Sequence, residues 1–350
     1  MKLQGKIWQK NITSNINFIK NSIKFNKDFI ISKNKKKYAA IIAAGPSLDK
    51  DIENLKKYSN FLSIVATDTS FPVLLENQIV PDFVVSIDAQ IFSHEHFIIN
   101  WKKFGNQIRE KTVFVLDFCC NSSLTKKLVE QNCNILFFKS GHPLAEKICE
   151  QIENQIEKKN CNADNTKFLS LTNGRGTVTS TCFSFCEKMN FENVIFFGAD
   201  FSFFQNKPYC KSTYLEKNWL SSSSKIESQE LQNTKLMYRG KVDKIKNSNI
   251  YTTQLLEEYK NEQIRMIEKS DIKNVFCSSE NPNNMTLNVL KYDNLSYFQK
   301  HDNKYDLKYD NKSLLKYDIK YDINYDILPN FVFLPLKAWQ KAKNIESNKT

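Results

Sequence analysis

The sequence predicts an α/β fold, a Rossmann-like and mostly parallel sheet with helices on both faces, and three observations carry that prediction. Short apolar runs recur at about 38–44, 61–66, 82–87, 112–117, 134–138, 167–171, 193–198 and 274–277. Stretches of helical periodicity separate most of them, the alternation expected of parallel strands joined by crossover helices. Several runs also end on a small or acidic residue: Gly45, Asp68, Asp88, Asp117 and Asp200. In an open α/β sheet that carboxyl edge is where ligands bind, because the loops and helix N-termini gather there.

Residues 1–37 are rich in Lys and Asn, with apolar positions at Ile16, Phe18, Ile19, Ile23 and Phe25. They suit a short helical segment packed on the main body. Residues 38–280 form the Rossmann-like domain. Within it, 205–250 breaks the strand–helix rhythm and reads as a lid or acceptor loop. Helical periodicity returns at Leu255, Leu256, Tyr259, Ile264 and Ile267. Residues 281–350 are a low-complexity tail carrying Lys-Tyr-Asp repeats such as Lys304-Tyr305-Asp306 and Lys308-Tyr309-Asp310.

The formal charge of the 350 residues is +12, but the lysines are scattered and form no stripe. That pattern fits a solvated basic surface that helps attract anionic substrates, not a nucleic-acid groove. No run reaches the length of a membrane span and no signal-like apolar segment opens the chain, so a cytoplasmic protein is expected. The nine cysteines are odd in number and irregular in spacing, and read as small core residues.

Two corners have the chemistry of an anion site. Gly45-Pro46-Ser47-Leu48 stands where a strand ends and a helix begins, with glycine for close approach, proline for a first turn and a hydroxyl among unpaired N–H groups. The second, Thr172-Asn173-Gly174-Arg175-Gly176-Thr177, opens the helix near 178–189 and offers backbone, hydroxyl, amide and guanidinium donors. No Walker A loop occurs. Asp68, Asp88, Asp117 and Asp200 can bind sugar hydroxyls or take protons. No Asp-x-Asp pair is present, so no dedicated metal site is expected, although carboxylates from separate strands can converge on magnesium. The four histidines, His94, His96, His142 and His301, lack zinc-ligand spacing.

In their order along the chain, Gly45 to Leu48, Asp68-Thr69, Pro81-Asp82 with Ser86-Ile87-Asp88, the glycine-bearing turn, Gly198-Ala199-Asp200-Phe201 and Pro208 to Tyr214 resemble the motility accessory factor glycosyltransferases. That flagellin-modifying family shares a domain with the archaeal hydroxymethylpterin diphosphokinases, and the resemblance covers roughly residues 38–277. A fainter similarity joins the same region to small bacterial sialyltransferases. These resemblances imply a transferase that moves a sialic-like nonulosonic acid from a CMP-activated donor to Ser or Thr of flagellin, with no further cofactor required.

Gly45, Pro46, Ser47, Leu48, Asp68, Thr69, Thr172, Asn173, Gly174, Arg175, Thr177 and Tyr214 would then bind the nucleotide sugar, Tyr209 would face the leaving phosphate, and Asp200 or Asp88 would be the base. The sequence departs from the sialyltransferases at Ala44 and Asp68, where they carry asparagine. Their general-base histidine also has no counterpart in 241–249. Two other classes remain: an ATP- and magnesium-dependent pterin pyrophosphokinase, and a non-catalytic flagellin-binding partner.

Overall fold

The computed structural model describes residues 2–19, 38–159, 167–245, 248–278 and 288–290. Its centre is a sheet of nine strands: β1 (Tyr38–Ile42), β2 (Leu62–Thr67), β3 (Phe83–Ser86), β4 (Val113–Asp117), β5 (Asn134–Lys139), β6 (Leu169–Ser170), β7 (Asn193–Phe197), β11 (Asn274–Ser278) and β12 (Asn288–Leu290). A second sheet holds β8 (Phe203–Phe204), β9 (Val242–Lys244) and β10 (Ile250–Thr253), paired antiparallel in the order β8-β10-β9. The large sheet runs β12-β11-β7-β1-β2-β3-β4-β5-β6, and every neighbouring pair is parallel.

Each strand feeds two cores because successive side chains leave it on opposite faces. Ala40, Ile42, Ile64, Ala66, Phe114 and Leu116 join one apolar cluster, and their neighbours Ala39, Ile41, Val65, Val113 and Val115 join the other. The first face is covered by helices that include Lys2–Ile16, Leu48–Tyr58, Ser122–Glu130 and Pro143–Lys159. The second is covered by Val178–Lys188 and Gln254–Glu268. Burial on both sides is why the central strands β1, β2 and β7 are buried throughout and read as unbroken apolar runs.

The chain adds β2 to β6 on one side of β1, then returns through Val178–Lys188 to place β7 on the other side. Reversing the direction of winding moves the crossover helix to the opposite face, as right-handed connections require. The switch point lies between β1 and β7, and Gly45 and Gly198 stand just beyond its two strand ends.

Two features differ from the sequence expectation. Residues 205–250 are not an irregular loop: they hold helices Tyr214–Ser221 and Gln229–Met237, and β8, β9 and β10 link the segment into a small sheet. The sheet also runs one strand past residue 280, in β12. The N-terminal segment contributes helix Lys2–Ile16, whose Ile12 and Ile16 are buried in the first core. Residues 291–350, with the Tyr-Asp repeats, lie outside the described residues.

Among the described residues eight cysteines are buried and unpaired, as expected of core residues. Burial raises their thiols, Cys133 to about 12. Among the described residues no helix is long and apolar enough to cross a membrane.

Candidate active site at the carboxyl edge of the sheet

The ends of β1 and β7 touch. Ala43 N–H donates to Phe197 O at 2.9 Å and Gly45 N–H to Gly198 O at 2.8 Å, extending the ladder past both strands. A side chain at Gly45 would put Cβ 2.6 Å from Asp200 Oδ2, and nearer still to Gly198 O. Gly198 has φ +63°, and a Cβ there would lie 2.5 Å from Ala43 O. Both positions therefore need glycine for this approach.

Across the contact Asp200 accepts the Ser47 N–H at 2.8 Å on Oδ2 and the Ser47 hydroxyl on Oδ1. Asp200 thus caps helix Leu48–Tyr58 from another strand, a role Ser47 does not fill itself. Burial raises its pKa to about 6 against the lowering effect of the two Ser47 bonds, and the charges of Asp51 and Asp49 add to the rise. The expectation that this side chain faces the crevice is corrected: it is 2% exposed and both oxygens are engaged.

The next strand ends bring two more carboxylates. Asp68, 2% exposed, accepts from Thr69 N–H at 2.8 Å, Thr69 Oγ1 at 3.2 Å and Ser86 Oγ at 2.7 Å. Asp88 is half-buried and accepts Gln90 N–H at 2.9 Å. Burial raises its pKa, the Asp68 charge adds to that, and His96 opposes it. Asp117 turns back on its own loop to accept Cys119 N–H at 2.8 Å.

Over the first face, Cys210 N–H donates to Ala44 O at 2.9 Å and Lys211 N–H to Asp49 Oδ1 at 2.8 Å. These two bonds pin the segment that carries Tyr209. Burial raises the Tyr209 phenol and so does the Asp68 charge, while Arg239 lowers it. Tyr214 opens helix Tyr214–Ser221 and lies edge-on to His96, with ring centroids 6.0 Å apart. A hydrogen bond to Glu95 is the main cause raising the Tyr214 phenol to about 12.

On the second face the turn at Thr172 to Thr177 enters helix Val178–Lys188. Gly174, Arg175 and Gly176 have φ of +45°, +64° and +101°. At Gly174 a Cβ would lie 2.5 Å from that of Ser180. Thr177 Oγ1 accepts Ser180 N–H at 3.2 Å and donates to Ser180 Oγ at 2.7 Å, so its hydroxyl caps the helix. Cys182 Sγ lies 3.9 Å from Ala66 O, so the helix begins beside the end of β2, within reach of the carboxylate row.

Arg175 is paired with Glu258 at 3.5 Å and Glu262 at 3.8 Å. Both partners lie on helix Gln254–Glu268, and the Arg175 side chain remains 57% exposed.

Helix Lys2–Ile16 closes the row at its far end. Asn11 Nδ2 donates to Ala89 O at 3.0 Å and Cys119 O at 3.1 Å, and Asn15 Nδ2 to Phe118 O at 3.0 Å and Cys120 O at 2.9 Å. The loops after β3 and β4 have their carbonyls satisfied by this helix. Around the ends of β7, β1, β2 and β3, Tyr209 and Tyr214 thus stand on the side of the first face and the Gly174 turn on the side of the second.

Sequence reasoning brought Gly45, Ser47, Asp68, Asp88 and Asp200 to one edge. It missed His96, which it weighed only as a zinc ligand, and the two asparagines. The short interval from Asp88 to His96 after a strand end was the available signal for the histidine. Among the described residues no group of three or more His, Cys, Asp or Glu is placed to hold a metal ion.

Residues 10–206, more than half of the chain, match the family model described as 6-hydroxymethylpterin diphosphokinase MptE-like. Two curated relatives are uncharacterized proteins of Treponema pallidum (strain Nichols). One is 34% identical over 95 residues, 27% of this chain and 43% of the relative. The other is 24% identical over 151 residues, 42% of this chain and 48% of the relative. The chain thus spans less than half the length of these relatives. Among solved structures, the MAf glycosyltransferase from Magnetospirillum magneticum AMB-1 superposes with a TM-score of 0.52 at 14% identity, over 83% of this chain and 39% of the other. That likeness is one of fold.

Proposed function

This chain belongs to the 6-hydroxymethylpterin diphosphokinase MptE-like family, and we propose that within it the protein is a glycosyltransferase. The donor is a CMP-activated nonulosonic acid and the acceptor a Ser or Thr hydroxyl of flagellin. Support comes from the fold shared with the Magnetospirillum glycosyltransferase and from the motif order that resembles its family.

The observation that carries the reading is the carboxyl edge at the β1–β7 switch, to which two glycine-built corners, a row of carboxylates and two phenols belong. Such an edge suits a phosphate at backbone N–H groups and a polyhydroxylated sugar over carboxylates. In this reading Thr172 to Gly174 hold the nucleotide, Thr69, itself held by Asp68, orients the sugar, and Tyr209 donates a proton to the departing phosphate. Asp200 shapes the corner by holding Ser47. The protein works in the cytoplasm, where CMP-sugars are available to it.

Intact-mass analysis of flagellin incubated with the protein and a panel of CMP-activated sugars tests the reading. A mass increase of one nonulosonate residue is the expected result.

The family description favours one other reading, transfer of pyrophosphate from ATP to a pterin alcohol with magnesium at Asp68 and Asp88. Thermal stabilisation separates the two, because a ligand of the native state raises the melting temperature by mass action. CMP should stabilise the protein where ATP does not; stabilisation by ATP with magnesium alone would transfer the assignment to the kinase.

A further inference from the structure

A turn that holds a phosphate through backbone N–H groups must keep those groups free of other partners. At the β1 corner they are engaged: Gly45 N–H goes to Gly198 O, Ser47 N–H to Asp200 Oδ2, Leu48 N–H to Gly45 O and Asp49 N–H to Pro46 O. The turn at Thr172 to Thr177 differs. Thr172 N–H is held by Ser184 Oγ at 3.1 Å, and Asn173 O takes Gly176 N–H at 2.7 Å and Thr177 N–H at 3.0 Å. Among the described residues the N–H groups of Asn173, Gly174, Arg175, Val178 and Thr179 have no hydrogen-bond partner.

Such a turn does not hold its shape unaided. Arg175, with φ +64° between two glycines that are also left-handed, has a conformation that persists only where the surrounding structure enforces it. The enforcing contacts come from helix Gln254–Glu268. Glu258 and Glu262 pair with the Arg175 guanidinium, Met266 Sδ lies 3.0 Å from where a Gly174 Cβ would stand, and Gln263 Oε1 accepts the Ser180 hydroxyl at 2.9 Å. Ser180 Oγ in turn accepts the Thr177 hydroxyl at 2.7 Å, and the Ser180 Cβ is the atom that bars a side chain at Gly174.

Gln263 is the informative member of this set. It alone is buried among the residues of its helix, fully so, and it is polar where an apolar residue would pack as well. Its Nε2 has no hydrogen-bond partner, so the amide is used for its oxygen.

We infer that Gln263 is a positioning residue for nucleotide binding: acting through Ser180, it locks the turn in the form whose N–H groups stay open to the donor phosphate. The inference rests on the glycosyltransferase reading, in which this turn holds the nucleotide. Gln263 itself does not touch the ligand.

The test compares wild type, Gln263→Leu, Ser180→Ala and the double variant by CMP titration calorimetry, by hydrogen exchange of the Gly176, Thr177 and Thr181 amides, and by urea unfolding. Gln263→Leu keeps the buried volume and removes the orphaned donor together with the acceptor, so the urea midpoint should change little. In both single variants the CMP dissociation constant should rise at least about fivefold, and the three amides should exchange at least about fivefold faster. The double variant should match the single ones within about twofold, because both substitutions break one chain of bonds.

A Gln263→Leu protein that binds CMP within about fivefold of wild type overturns the positioning role alone, as do additive losses in the double variant or faster exchange spread over the central strands. Should Gln263→Leu fail to fold, Ser180→Ala, which trims a single oxygen, decides by the same thresholds. A wild type that does not bind CMP overturns the glycosyltransferase reading instead, and the role in nucleotide binding with it.

Discussion

Asp200 accepts two hydrogen bonds from Ser47, one from the backbone N–H and one from the hydroxyl, and so joins strand ends that are 153 residues apart in sequence. The pair closes the switch point between β1 and β7 and caps helix Leu48–Tyr58 at the same time. Replacing Asp200 with Ala leaves a buried N–H without an acceptor, which costs about 1–3 kcal/mol. Asp200→Ala is therefore expected to lower the denaturation midpoint clearly. Asp200→Asn, which keeps one acceptor oxygen, should lower it by less than half as much. Equal midpoints for wild type and the alanine variant in urea unfolding would refute the capping role.

The same carboxyl makes stability depend on pH. Its folded pKa of about 6 lies above the ordinary 3.8, so between these values the folded state binds the proton that the unfolded state releases. The contribution is present below about pH 4 and is lost as pH rises through about 6. Taken against Asp200→Asn, which does not titrate, the stability of the wild type should drop by about 2 kcal/mol from pH 4.5 to pH 7. A difference that stays flat, measured by urea unfolding at each pH, would mean that the Ser47 bonds cancel the effect of burial.

At Gly45 the cost is steric, since a Cβ would meet Gly198 O and the Asp200 carboxylate, and neither has room to retreat. Gly45→Ala should destabilise the protein by at least about 1–3 kcal/mol through overpacking, and Gly45→Val further. Circular dichroism melts should show both. A Gly45→Val protein that melts like wild type and only loses nucleotide binding would restore the simpler idea of a corner kept open for phosphate alone.

These relationships show what a sequence makes legible. Strands such as Ala39–Ile42 and Val194–Phe197 declare themselves because both faces are buried, and the carboxylates at their ends follow from where the apolar runs stop. Helix Tyr214–Ser221 buries no residue and Gln229–Met237 buries only Asn233 and Met237, so neither carries the apolar stripe that periodicity detects. The Ser47–Asp200 clamp and the Arg175 pairing with Glu258 and Glu262 join distant segments and have no local signature. Gly174 and Thr177 read as phosphate donors and as a packed, capped turn equally well, because the residue types that free backbone N–H groups for a ligand are the same ones that tighten a βα turn.

The two asparagines of helix Lys2–Ile16 yield a prediction in which chemistry and packing separate. Asn15 is fully buried and its amide donates to Phe118 O and Cys120 O, while Asn11 does the same for Ala89 O and Cys119 O. Removing either amide strands two loop carbonyls, so Asn11→Ala and Asn15→Ala should each cost about 1–3 kcal/mol. Asn15→Asp changes almost no volume, yet an ionised carboxylate would face two carbonyl oxygens and no donor. Near neutral pH it should therefore be more damaging than the alanine.

Burial and the carbonyl dipoles would raise the folded pKa of the introduced carboxyl above its unfolded value, so the stability it loses should return as pH falls and the group regains a proton to donate. Melting temperatures of wild type, Asn15→Ala and Asn15→Asp measured from pH 5 to pH 8 decide the matter. If the aspartate variant runs parallel to the alanine variant across that range, the helix is held by Ile12 and Ile16 alone, and the amides do not fix the loops that end β3 and β4.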